Sequence, residues 1–121
     1  SFIDSVTQQI EKGGNVALSA EGTKRDFLFI GDFINLLVTI LNRFPRGFNV
    51  YNVGYGKSYS LEEVAQKIAK LVGREITISY DNKLRPGDVT EMIADISKVS
   101  ETFDWKPTED IDRGLRLTIE K

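Results

Sequence analysis

Apolar residues recur along this chain at two spacings, and the spacings sort it into helices and strands. Phe2, Ile3, Val6 and Ile10 fall at helical spacing and Gly13-Gly14 stops the run, which predicts a first helix. Val16, Leu18 and Ala20 alternate with polar neighbours and predict a strand. Glu21-Gly22-Thr23-Lys24 reads as a turn, and Asp26 to Ile30 as a strand with apolar residues on both faces. Residues 15–30 therefore read as a hairpin or tight return. Asp32 is placed to cap the most apolar helix of the chain, which runs to about Phe44 and stops at Pro45. Its apolar residues cover most of the circumference, and such a helix expects cover on more than one side.

The second half continues the alternation. Phe48 to Val53 reads as a strand, and Gly54 to Tyr59 as a loop. Ser60-Leu61-Glu62-Glu63 is a capping box, in which a hydroxyl and a carboxylate each satisfy a free amide at a helix start. Leu61, Val64, Ala65, Ile68 and Val72 make one face of that helix, and Gly73 is placed to end it. Ile76, Ile78 and Tyr80 alternate in a strand, Asp81 to Asp88 is a polar loop, and Met92-Ile93-Ala94 is a short strand. Ile96, Val99 and Phe103 mark a short helix, followed by a break with a buried Trp105 and then Pro107. Thr108 is placed to cap a last helix, with Glu109 and Asp110 in its positive first turn and Ile111, Leu115 and Ile119 inward. Helices alternating with strands predict an α/β class, a small mixed-sheet domain with several helices and some antiparallel pairing.

Composition narrows the chemistry. The 121 residues fit one domain spanning 1–121. The longest apolar concentration is interrupted by Asn35 and Thr39 and is too short to cross a bilayer, so no membrane partner is expected. Ser1 to Ile10 does not read as a signal peptide, and a cytoplasmic location is expected. A formal net charge of -2 gives no general attraction to nucleic acid. With no Cys and no His, disulfides, thiol nucleophiles, Ser-His-Asp chemistry and nearly all zinc sites are excluded, and no metal site is expected.

The motifs are weak one at a time. Gly54-Tyr-Gly56 follows a predicted strand and precedes a helix, as a dinucleotide-binding loop does, but Tyr59 stands where the third glycine belongs. It reads better as two turn glycines. Gly56-Lys57-Ser58 lacks the leading glycine of a phosphate loop, since position 51 is Tyr51. Lys24-Arg25 and Arg85-Pro86-Gly87-Asp88 each read alone as solvated turns. Together they are two loops, each with an Arg preceded by a Lys, and the planar Arg fork suits phosphate oxygens. Periodicity does not show that the two loops converge. None of the four tyrosines is followed four residues later by Lys, and no carboxylate pair stands out as catalytic.

Taken in order, these pieces resemble one family. The series runs Arg25-Asp26-Phe27-x-Phe29-Ile30-x-Asp32, Tyr51-Asn52-Val53-Gly54-x-Gly56, Ser60-Leu61-Glu62-Glu63, Arg85-Pro86-Gly87-Asp88, Ala94-Asp95-Ile96-Ser97-Lys98, Trp105-x-Pro107 and Gly114-Leu115. It is similar to the C-terminal part of the NAD-dependent nucleotide-sugar epimerases and dehydratases, the extended short-chain dehydrogenase/reductases. The resemblance implies the substrate-binding portion of a two-domain Rossmann-type enzyme, with a nucleoside diphosphate sugar as ligand and a homo-oligomeric assembly. It implies that Arg25 and Arg85 contact the diphosphate, that Asp88 contacts the nucleotide, and that Phe27 lines the same pocket. The family's glycine-rich loop and Tyr-x-x-x-Lys pair are missing, so no catalytic residue is assigned. NAD would then be bound by an N-terminal domain absent from this chain. A smaller departure is Asp104 before Trp105, where the family often has Gly.

Two readings of different class follow. In one the chain is part of an enzyme that epimerises or dehydrates a nucleotide sugar and is inert alone. In the other it is a free-standing binding or structural domain of the same fold.

Overall fold

The computed structural model describes residues 1–83 and 86–120. They form five helices and four short strands, which fall into two compact units. Ser1–Arg25 with Tyr59–Met92 make the first, and Asp26–Ser58 with Ile93–Lys121 the second.

The first unit holds α1 (Phe2–Glu11), β1 (Asn15–Leu18), α3 (Leu61–Val72) and β4 (Thr77–Tyr80). Each helix buries the stripe that its spacing predicts. Val6 and Ile10 of α1 are buried, as are Val64, Ala65 and Ile68 of α3. Val16 and Leu18 of β1 alternate inward with exposed Asn15 and Ala17. Ser60 Oγ accepts from Glu63 N at 3.1 Å and so starts α3. Gly73 ends it in the left-handed conformation, φ 79°, which costs glycine little.

The hairpin expected at 15–30 does not form. β1 instead pairs in parallel with β4, Val16 opposite Ile78. A parallel partner reached through a helix satisfies the strand's backbone as fully as a hairpin would. The returning strand is shorter and earlier than expected: β2 is Lys24–Asp26, it pairs with β3 (Ser58–Ser60), and residues 27–29 are irregular. The strand expected at Met92-Ile93-Ala94 is reduced to one bridge between Lys24 and Glu91.

The second unit contains α2 (Ile30–Asn42), α4 (Ser97–Phe103) and α5 (Ile111–Ile119). Its core is Leu36, Val99, Phe103 and Trp105, with Leu28, Ile40, Tyr51, Val53 and Ile96 packed against it. Phe48 to Val53 is not a strand: it is irregular, with no ladder partner among the described residues. It is held by side chains instead. Tyr51 meets Phe103 edge-on at 5.3 Å, and Lys98 Nζ lies 4.8 Å from the Tyr51 ring centre while donating to Val50 O at 2.8 Å. Two expected caps are also displaced. Helix α2 starts two residues before Asp32, and α5 is capped by Asp110, whose Oδ1 accepts from Arg113 N at 2.9 Å, not by Thr108. Asp104 ends α4 in the left-handed conformation, φ 50°, which Gly adopts at less cost.

Candidate functional site

The residues singled out in the sequence are distributed over both units. Arg25 lies in β2 and is half-buried, and its guanidinium donates to the carbonyl of Lys24 at 2.7 Å. Asp88 belongs to the same unit, at an exposed position in the loop after Gly87. Phe27 is half-buried in the second unit, on the irregular stretch between β2 and α2. Arg85 lies outside the described residues. No group of three or more acidic residues able to hold a metal occurs among the described residues.

The stretch from 25 to 32 does carry concentrated chemistry, in two carboxylates of the motif series whose distant partners the sequence does not name. Asp26 accepts three backbone N–H groups within the second unit: from Tyr55 at 2.7 Å, Gly56 at 2.9 Å and Ala94 at 3.2 Å. Asp32 is only 1% exposed, and its carboxylate accepts from Thr108 N at 3.0 Å, Thr108 Oγ1 at 2.7 Å and Glu109 N at 3.1 Å. Its carbonyl oxygen takes the Trp105 indole N–H at 3.2 Å. Both side chains thus bind backbone from segments 29 to 77 residues away. Withdrawing such groups from water is tolerable because each carboxylate oxygen finds at least one donor. Asp32 stands in the first turn of α2, where the helix dipole also favours a negative charge. The sequence signal was the Asp-x-x-x-x-x-Asp spacing beside a strand and a helix start. A helix-cap reading accounts for one of these residues locally and cannot name distant donors.

Asp95 caps locally. Its Oδ1 accepts from Ser97 Oγ at 2.7 Å and Ser97 N at 3.0 Å, and these bonds hold its carboxyl below the usual carboxylate range. Tyr80 is shifted upward by desolvation first, then by the nearby charges of Glu62 and Glu21.

The chain is similar along its length to known proteins. A family model described as GDP-mannose 4,6 dehydratase matches residues 2–118. The UDP-glucuronate 4-epimerase of Thermodesulfobacterium geofontis is 31% identical over 106 residues, which is 86% of this chain and 32% of that protein. The structure of MoeE5 in complex with UDP-glucose and NAD superimposes with a TM-score of 0.87 at 28% identity, covering 99% of this chain and 40% of that one. The UDP-glucuronic acid 4-epimerase of Bacillus cereus, solved with UDP-glucuronic acid and NAD, gives a TM-score of 0.85 at 26% identity, covering 96% of this chain and 37% of that one. The chain therefore spans well under half the length of each of these proteins.

Proposed function

The chain belongs to the nucleotide-sugar epimerase/dehydratase family, within the extended short-chain dehydrogenase/reductases, and from that premise we propose that it is the substrate-binding portion of an NAD-dependent enzyme that epimerises or dehydrates a nucleoside diphosphate sugar. The observation that carries this reading is the match of nearly the whole chain to proteins two to three times its length. In this reading Arg25 and Arg85 bind the diphosphate, Asp88 orients the nucleotide and Phe27 lines the pocket. A diphosphate offers several charged oxygens, so two guanidinium forks bind it without competing. NAD is held, and the proton and hydride steps are run, by residues outside this chain. Two features of the second unit support this: the exposed apolar residues of α2 and the unpaired segment at 48–53. The remainder of the parent covers both.

Lys in place of either Arg keeps the charge and loses the paired geometry, so it restores only part of the affinity. Arg25→Ala and Arg85→Ala in the full-length parent are expected to weaken nucleotide-sugar binding about tenfold or more and to leave NAD binding unchanged. Calorimetry of both ligands tests this. Unchanged sugar-nucleotide affinity in both variants, or a loss confined to NAD, overturns the assignment of the two arginines. Micromolar NAD binding by the 121-residue chain alone would also contradict the reading.

A further inference from the structure

The Gly54-Tyr55-Gly56 turn has the form of an anion-binding loop, and its anion is already present. Tyr55 N donates to one oxygen of the Asp26 carboxylate and Gly56 N to the other, at 2.7 and 2.9 Å. Successive backbone N–H groups converging on one anion form the concave nest that phosphate-binding loops use. The glycines answer to this geometry. A Cβ on Gly54 would lie 2.6 Å from Ala94 Cβ and 2.9 Å from Asp26 Oδ2, so no side chain fits there. Gly56 takes φ +89°, a backbone that other residues rarely adopt. Ala94 N closes the third side of the carboxylate at 3.2 Å.

We infer that Asp26 is a positioning residue: a captive anion that fills the nest at 54–56 and fixes the backbone from which Phe27 departs. This rests on the substrate-site reading above. Three bonds on its two oxygens, two of them on Oδ2, commit this carboxylate chiefly to holding backbone. What they do is tie one point of the chain to two segments 29 and 68 residues distant, immediately before a residue assigned to the pocket. The same bonds occupy the amides that an outside phosphate would need, which accounts for a glycine pattern resembling a dinucleotide loop in a place where none is built.

The test uses the full-length parent with three single substitutions: Asp26→Gly, Asp26→Asn and Arg25→Ala. Two quantities are read by NMR: amide exchange at Tyr55, Gly56 and Ala94, and the affinity for UDP-glucose as probe. Asp26→Gly opens a carboxylate-sized gap. It is expected to speed exchange at those three amides about tenfold or more and to weaken UDP-glucose by a similar factor. Added formate, a carboxylate of the right size, restores both. Asp26→Asn, which keeps the shape and one acceptor, falls between and serves if the glycine variant does not fold. If formate restores slow exchange while UDP-glucose affinity never changed, and Arg25→Ala does weaken it, Asp26 is a fold residue only and the inference is overturned. If Arg25→Ala and Arg85→Ala both leave UDP-glucose binding unchanged, the site reading itself fails and the inference falls with it.

Discussion

The two units are stabilised in different ways. In the first, helices α1 and α3 each bury one stripe against a parallel strand pair, and the strands that need partners have them. Its core is aliphatic, and its side chains cap locally at Ser60 and reach distant backbone at Glu62 and Arg74. In the second, two aspartates bind backbone across long sequence distances, and a small cluster around Leu36 and Trp105 supplies the apolar core. Much of its apolar surface is not covered. Leu41 is 72% and Phe48 92% exposed, with Ile30, Ile34, Val38 and Phe44 more than half exposed on or just beyond α2. Ile30, Ile34, Val38 and Leu41 recur at helical spacing along α2, so its exposed apolar residues share one side of the helix. The contrast teaches that a unit closed by its own hydrophobic faces and a unit pinned by carboxylates respond to different substitutions.

The largest expected effects come from breaking each unit by its own means. Ile68→Ala removes a fully buried side chain from the first unit and is expected to cost about 2–5 kcal/mol. Asp32→Ala strands two amides and a hydroxyl in the second, for a loss of about 3 kcal/mol or more. Denaturant titration measures both, and hydrogen exchange localises them. Each is expected to expose amides chiefly of its own unit. If Asp32→Ala proves as mild as a surface change, the second unit is not pinned by its carboxylates.

A smaller effect sharpens the same contrast from the other side. Leu41→Lys and Phe48→Ser are expected to change the stability of the chain by less than about 0.5 kcal/mol, because neither side chain has much burial to lose. They are also expected to reduce self-association in light scattering, which the unsubstituted 121-residue chain should show through its apolar face. A cost comparable to that of Ile68→Ala would mean that this face is already covered.

The smallest effect concerns pH. Asp95 has its carboxyl lowered by the two Ser97 bonds, so these bonds add stability above the carboxylate's unfolded pKa. That stability is lost as pH falls through the lower folded value. Ser97→Ala removes the hydroxyl bond and keeps the amide bond, so the Asp95 carboxyl should titrate closer to its usual range and acid unfolding should begin at slightly higher pH. Carboxyl-carbon NMR of Asp95 in the two chains reads this directly. An unchanged titration would show that the amide alone sets it.

Local patterning was enough to determine the helices. The stripes of α1 and α3, the Ser60 cap and the Gly73 stop lie within a few residues of one another, and side-chain spacing with backbone propensity decides them. The strands at 15–18 and 77–80 were visible for the same reason, as was the buried Trp105. Strand partners were not, because a strand's exposed N–H and C=O groups carry no record of which strand will meet them. Only the tertiary structure selects β4 for β1 over a hairpin with β2. Phe48 to Val53 shows the limit most clearly: its sequence has strand character, but a ladder needs a second backbone, and none of the described residues provides one. The family was legible through the order of its motifs, which survives as sequence whatever the fold does. The work of Asp26 and Asp32 was not, because a carboxylate's acceptors are fixed by its type while its donors are fixed by which distant amides the tertiary structure brings to it.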